Sequence, residues 1–267
     1  IIDEISMMSS RLFCLLEKIA KVVRYSIKPF GGIQLILSGD FYQLPPICSG
    51  SEQLQYCFET PTWKETISHV ILLKKIFRQN EPQFTKILGQ IRRGRISKRT
   101  YETLTKCVHK KRSFKDISPT IILPRKRQSE IINKKKLSEL NEQEYTYDAY
   151  MGKCLTEKYS EKAIEIEFEN LTKNSLFQQK LVLKKGAQVM CISNIDLDLG
   201  ICNGSVGIVE SFSDTKNPIV KFSNGITMEI NPVTWKSESL KGVYVQQIPL
   251  ILAWSCTVHK IQGATLD

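Results

Sequence analysis

No apolar run in this sequence approaches the roughly 20 residues that a membrane-spanning helix needs. No basic-then-apolar leader with a small-residue cleavage site opens it either. Both absences argue against a secreted or membrane protein. Histidine is scarce, at three residues, and the eight cysteines stand singly, with no C-x-x-C pair and no Cys/His cluster. That argues against the common structural zinc sites and predicts reduced, buried thiols. The phosphate-cradling pattern G-x-x-x-x-G-K-[ST] does not occur. Internal repeats, low-complexity tracts and flexible linkers are also missing.

What is present is the composition of a globular protein, 42% hydrophobic and 24% charged, over 267 residues, enough for one large domain or two ordinary ones. The net charge of +11 is unevenly placed. Lys86 to Lys136 holds 17 Lys/Arg against Glu102, Asp116 and Glu130, an excess of +14, so the remainder carries −3. A concentrated basic region is the footprint of a polyanion partner. A solvated lysine-rich face gives the same count, so the motifs must decide.

Gly31 to Pro46, GGIQLILSGDFYQLPP, organises the rest. Ile33–Leu37 reads as a buried parallel strand covered on both faces, closed by Ser38-Gly39. Asp40 and Gln43 follow it, where open α/β sheets bind ligands. Upstream, Ile1-Ile2-Asp3-Glu4 reads as a strand end, and as the start of an internal fragment. Ser9-Ser10 offers a helix cap. Leu12, Leu15, Leu16, Ile19 and Val22 or Val23 recur at helical spacing to about Tyr25. The opening is therefore a βαβ unit with Asp3-Glu4 and Asp40–Gln43 on one edge.

Further along, His69–Leu73 (HVILL) reads as a strand. Helices are expected from Pro82 to Arg93 (Phe84, Ile87, Leu88 and Ile91 on one face), around Thr100–Val108, and from Ser129 to Leu140 with Ile131, Ile132, Leu137 and Leu140 inward. Thr120–Leu123 is a strand. Residues 141–180 are acidic and weakly periodic, suggesting an inserted hairpin or lid. Short strands follow at Gln188–Ile192, Ser205–Phe212, Ile219–Phe222 and Ile226–Ile230, with turns at Asn203-Gly204 and Asn224-Gly225. Even spacing of this kind suggests a small β-barrel. Pro249–Ser255 is a single buried strand leading into Thr257–Gly263.

These strand ends carry the candidate chemistry. Asp3 could hold the water shell of a magnesium ion, and Glu4 could deprotonate an attacking water. The amide of Gln43 can donate to a phosphate and accept from a water, while Asp40 could instead satisfy loop N–H groups. Arg78 could pair bidentately with phosphate. Lys260 could contact phosphate, and Thr257 and His259 the backbone of a nucleic acid.

In this order the motifs resemble the PIF-one-like family of superfamily 1 DNA helicases. The matching blocks are IIDEISM (Ile1–Met7), KPFGGIQLILSGDFYQLPP (Lys28–Pro46), IFRQ (Ile76–Gln79), LGQIRRG (Leu88–Gly94), GAQVMCISNID (Gly186–Asp196), NGSVGIV (Asn203–Val209) and PLILAWSCTVHKIQGATLD (Pro249–Asp267). The resemblance implies an α/β chain of tandem RecA-like P-loop NTPase domains, the first truncated. Residues 1–74 would end the first domain and 75–267 form the second, with a hairpin and small β-barrel inserted at about 141–246. It implies ATP and Mg2+ as cofactors. Asp3 would hold the metal through water, Glu4 would be the base and Gln43 the γ-phosphate sensor. Arg78 would be an arginine finger, Gln262 and Gly263 would meet the nucleotide, and Thr257, His259 and Lys260 would touch DNA. The expected partners are single-stranded and forked DNA, engaged by a monomer with no membrane, and the family moves 5′ to 3′ in genome maintenance.

The sequence departs from that family in having no P-loop, no wedge domain and no final arginine motif; Ser255-Cys256 and Ile261 also differ. Two readings stand at this point. One is a fragment of an ATP-dependent helicase, itself inactive as an ATPase. The other is a truncated or degenerate nucleic-acid-binding module. The expected setting is the nucleus or mitochondrion for a cellular host and the cytoplasm or virion for a viral one, not the secretory route.

Overall fold

The computed structural model describes residues 1–47, 53–77, 81–108, 117–153 and 159–261, with the backbone alone at 173, 174, 259 and 260. It is a mixed α/β fold in two compact units, Ile1–Lys111 and Arg112–Asp267.

In the first unit, Ile2 pairs in parallel with Leu37. Ile2 N–H donates to Ile36 O at 2.9 Å and Ser38 N–H returns a bond to Ile2 O at 2.9 Å. Helix α1 (Ser10–Val23) connects the two segments, and Ser9 caps it by accepting from Leu12 N–H. The βαβ expectation thus holds, but the ladder is a single bridge, and Ile33 and Ile36 are about half exposed. The expected two-sided cover is missing because one helix and one partner segment cannot enclose a strand.

The same shortage of cover rotates the reading of α1. Phe13 is its fully buried residue, against Phe30 at 5.1 Å and Trp63 at 5.5 Å. Leu12, Leu15, Ile19, Val22 and Val23 are exposed. Phe30 and Gly31 both adopt left-handed backbone in the 3₁₀ turn Pro29–Gly32. A Cβ on Gly31 would sit 2.5 Å from Ala20 O, so only glycine lets this turn lie on α1. Helix α2 (Pro61–Thr66) closes the small core. His69–Leu73 forms no strand, with Val70 to Leu73 exposed. Helices α3 (Pro82–Arg92) and α4 (Lys98–Val108) complete the unit, and only Ile87 of the expected α3 face is buried.

The second unit runs β1 (Ile121–Leu123), α5 (Lys126–Ser138), β2 (Tyr145–Asp148), β3 (Tyr150–Lys153), α6 (Glu161–Asn174), β4 (Lys180–Leu183), β5 (Gln188–Cys191) and β6 (Val206–Phe212). It continues with β7 (Pro218–Phe222), β8 (Thr227–Glu229), β9 (Val233–Lys236), β10 (Val243–Gln247), β11 (Leu250–Leu252) and β12 (Ser255–Thr257). The sheets are β11-β5-β6-β7-β8, β3-β10-β9, β2-β4 and β1-β12. Hence no closed barrel forms among the described residues: the short strands make an open five-stranded antiparallel sheet, whose largest apolar cluster includes Leu181, Val189, Val209, Val220 and Leu250. Ile131 faces out rather than in, at 58% exposure. Helix α6 was not legible, because its apolar positions are diluted by glutamate and lysine.

Pro249–Ser255 also departs from expectation. It splits into β11, antiparallel to β5, and β12, parallel to β1. Asn133 on α5 holds the corner: its Nδ2 donates to Leu252 O and Ser255 O, and its Oδ1 accepts from Ser255 N–H at 2.9 Å. Of the described cysteines, Cys57, Cys191 and Cys256 are buried thiols as expected, whereas Cys107 is exposed. Burial pushes the Cys191 thiol up to about 12, so it stays protonated. No helix among the described residues is long and apolar enough to cross a membrane.

Replacing Asn133 with alanine leaves the Ser255 N–H and two carbonyls without their partner. The expected cost is about 2–3 kcal/mol, since unsatisfied buried groups bear their desolvation penalty. Urea unfolding would check it; an unchanged midpoint would show that the corner does not depend on Asn133.

Candidate active-site edge and nucleic-acid groove

The parallel bridge places two polar segments at one edge of the first unit. Past Ile2 come Asp3 and Glu4; past Leu37 come Ser38, Gly39 and Asp40. Ser38 Oγ donates to Asp3 Oδ1 at 2.8 Å and Glu4 N–H to the same oxygen at 2.9 Å. Ile5 N–H then donates to Ser38 O at 3.0 Å, which continues the clasp. Gly39 is obligatory here: its φ is 152° and a Cβ would lie 2.8 Å from Ile5 N. Glu4 holds left-handed backbone, φ 50° and ψ 44°. A non-glycine residue there costs on the order of 1 kcal/mol, and such strain concentrates where a side chain must be aimed.

The hydrogen bond from Ser38, followed by that from the Glu4 backbone, holds the Asp3 carboxyl below its ordinary value of 3.8. Both bonds fall on Oδ1, so Oδ2 is the oxygen left for a water or cation. Among the described residues no three His, Cys, Asp or Glu come together. A single carboxylate among waters is what magnesium takes, so the donor set fits that ion rather than one needing a protein cage.

Asp40 does more than the sequence suggested. Its Oδ1 accepts from Arg92 Nη2 at 2.7 Å and Tyr42 N–H at 3.1 Å; its Oδ2 accepts from Arg92 Nε at 2.7 Å and Gln43 Nε2 at 3.3 Å. The Arg92 guanidinium also lies 4.7 Å from the centre of the Tyr42 ring. Arg92 above all holds the Asp40 carboxyl below its ordinary value. Neither this pairing nor Arg92 itself was singled out in the sequence. The one available signal was its place in LGQIRRG, a motif that speaks for family and not for spatial neighbours.

In the second unit, Thr257 ends β12 and is nearly buried, and His259 and Lys260 follow in the 3₁₀ turn Val258–Ile261. A groove of about 600 Å³ reaches Thr257, with Asn133, Ser255 and three lysines, Lys126, Lys134 and Lys180, among its lining. Lysines and short polar side chains suit phosphate oxygens. The basic run Lys86–Lys136 does not stay in one body: it divides between the two units at Lys111. Arg78, Gln262 and Gly263 lie outside the described residues.

Comparison with known proteins fits this geometry. The model of the PIF1-like helicase family matches residues 1–102, and that of the DNA helicase Pif1 2B domain matches residues 167–212. The ATP-dependent DNA helicase PIF1 of Xenopus laevis is 36% identical over all of this chain and 41% of its own length. Over its whole length the chain is similar to PIF1-like helicases. It spans about two-fifths of the length of the PIF1 helicases of Xenopus laevis and Homo sapiens. Among solved structures, the Pif1 helicase from Candida albicans is 34% identical, with a TM-score of 0.74 over 99% of this PIF1-like chain and 64% of that one. A Bacteroides Pif1 in complex with ADP-AlF3 and single-stranded DNA is 30% identical, with a TM-score of 0.61 over 99% and 62%.

Because Asp3 is lowered mainly by Ser38, Ser38→Ala should move its carboxyl titration back up toward 3.8. A carboxyl depressed in the folded state contributes stability above its unfolded value, lost as pH falls through the folded value. The variant should therefore be less stable than the parent at neutral pH, and the difference should vanish in acid. Side-chain carboxyl NMR over a pH series checks this; an unmoved titration would refute the Ser38 contribution.

Proposed function

We propose that this chain serves an ATP-driven 5′-to-3′ DNA helicase, supplying the hydrolysis edge, the coupling loop and part of the single-strand path. The observation that carries the reading is the Ile2–Leu37 register, which sets Asp3-Glu4 beside the Asp40–Gln43 loop. The Bacteroides relative holds both a nucleotide analogue and single-stranded DNA, which supports the same two ligand classes for this chain. In the finer reading, residues 1–74 end one RecA-like domain and 75–267 form a second, a boundary that differs from the division of the two compact units at Lys111, and the open β-sheet region is the inserted module.

Each residue then has a defined task. Asp3 would hold a magnesium ion through water, and that ion would supply charge to offset the phosphates. Glu4 accepts the proton of the attacking water, its carboxylate aimed by the left-handed backbone. Gln43 keeps one amide hydrogen on Asp40 and offers its remaining groups to the γ-phosphate and the water. Arg78 stabilises charge on the transferring group, as arginine fingers do, and Gln262 and Gly263 approach the nucleotide. Thr257, His259 and Lys260 hold the DNA backbone, and Thr257 also lines the groove that carries Lys126, Lys134, Lys180 and the single acid Glu130. The partners proposed are single-stranded and forked DNA, bound by a monomer.

The decisive measurement is DNA-stimulated ATPase in the full-length gene product and its Glu4→Gln form. Loss of a general base predicts a fall in kcat of about 100-fold or more. Equal rates would refute Glu4 as the base, and no turnover in the unaltered protein would leave the nucleic-acid-binding module as the better reading. Separately, Lys126→Gln with Lys134→Gln should reduce the slope of log affinity against log salt by about one for each phosphate no longer neutralised, uniformly across sequences. An unchanged slope would remove the groove from the DNA path.

A further inference from the structure

Arg92 stands apart from the other cations of its segment. Its neighbour Arg93 turns back onto its own helix, donating Nε to Gly89 O at 3.0 Å. Arg92 instead reaches across 52 positions to Asp40 with two parallel bonds of 2.7 Å. The Asp40 side chain is only 19% exposed and that of Arg92 45%. A typical surface ion pair contributes little, because two mobile side chains must be ordered in high dielectric. This pair is bidentate, one partner is largely covered, and the guanidinium lies close to the Tyr42 ring.

What the pair holds matters more than its own stability. Asp40 Oδ2 receives both Arg92 Nε and the amide of Gln43, and Oδ1 receives both Arg92 Nη2 and the Tyr42 N–H. Each oxygen thus joins one arm of the guanidinium to one group of the loop. Without Arg92 the carboxylate loses the partner that fixes its rotation, and Gln43 loses a fixed acceptor. A lysine could supply charge but not the two-armed grip.

We propose that Arg92 is a positioning residue for the coupling loop: it clamps Asp40, and through Asp40 sets where Gln43 is held. The clamp also ties the loop to the basic stretch beginning at the end of α3, where Arg93, Arg95, Lys98 and Arg99 cluster in sequence. Phosphates bound along that stretch would therefore be felt at Gln43. This last step rests on the helicase reading; the clamp itself does not.

Two measurements separate the parts. Hydrogen exchange at the Tyr42 and Gln43 amides of the 267-residue chain tests the clamp. Arg92→Ala and Asp40→Ala should each speed exchange there about tenfold. The double variant should go no further, and the amides of α1 should be unaffected. Unchanged exchange at both loop amides overturns the proposal. In the full-length gene product, Arg92→Ala should lower DNA-stimulated kcat about tenfold with KM for ATP altered less than about threefold. Arg92→Lys should recover only part of that loss. On a Gln43→Ala background, Arg92→Ala should add nothing, since the two act in series. Multiplying losses would show that Arg92 does not work through Gln43. An unaltered protein without DNA-stimulated ATPase would sink the motor reading, while the exchange result would still decide the clamp.

Discussion

One parallel bridge governs the first unit. Ile2 exchanges backbone bonds with Ile36 and Ser38 on either side of Leu37, and Ile5 adds a bond to Ser38, which together set the height of Asp3 relative to the loop that begins at Ser38. A slip of one residue would turn every side chain to the opposite face. Asp3 would leave Ser38, and Gly39 would no longer be the residue lying against Ile5. The glycine is thus the steric check on the register, and the Ser38–Asp3 bond is its polar check. Phe13, Phe30 and Trp63 supply the packing that holds α1 over this short ladder.

Local signals were legible because they depend on few atoms. Ser9 caps α1 and Gly225 turns the β7–β8 hairpin with its φ of 87°, because a hydroxyl acceptor and a Cβ-free turn need no distant partner. The site edge was legible for a similar reason: an apolar segment ending in Asp-Glu, and another ending in Ser-Gly-Asp, can only present those groups at their ends. What could not be read was who meets whom over long separations. Asp40 looked like a loop-capping acid, and it does bind the Tyr42 N–H. Its dominant partner comes from 52 positions away, and no periodicity announces it.

The errors share one physical origin. Hydrophobic periodicity reports that a segment wants cover, not that it has found it. Val70–Leu73 reads as a strand because it is apolar, yet strands exist only in pairs, and it has no ladder partner among the described residues. The exposed apolar positions of α1, among them Leu12, Leu15 and Ile19, are of the same kind. In the second unit the opposite mistake occurs. Pro249–Ser255 reads as one continuous strand, but residues 253–254 break it, and Asn133 bonds across the break to Leu252 and Ser255. The expected barrel fails likewise: evenly spaced hairpins specify neighbours but not closure, and here the strand order runs out at β8 and β11.

The corner at Asn133 and the clamp at Asp40 solve one problem in two ways. Each holds the backbone just past a strand end, where regular pairing stops and chemistry begins. At the corner an uncharged amide is sufficient, because Ser255 and Leu252 present backbone groups in fixed geometry. At the clamp the groups to be held are a backbone N–H and a mobile glutamine, so a charged carboxylate is needed, and a carboxylate that is largely covered needs a cation. Arg92 answers that need with the only side chain that can satisfy both oxygens at once. An uncharged amide bonded to fixed backbone groups makes a rigid joint. A half-exposed ion pair makes one that a competing anion can open, because any phosphate that reaches Arg92 offers the same two-oxygen match as Asp40. The loop carrying Gln43 is therefore built on the joint more responsive to anions, and the strand carrying Thr257 on the stiffer one.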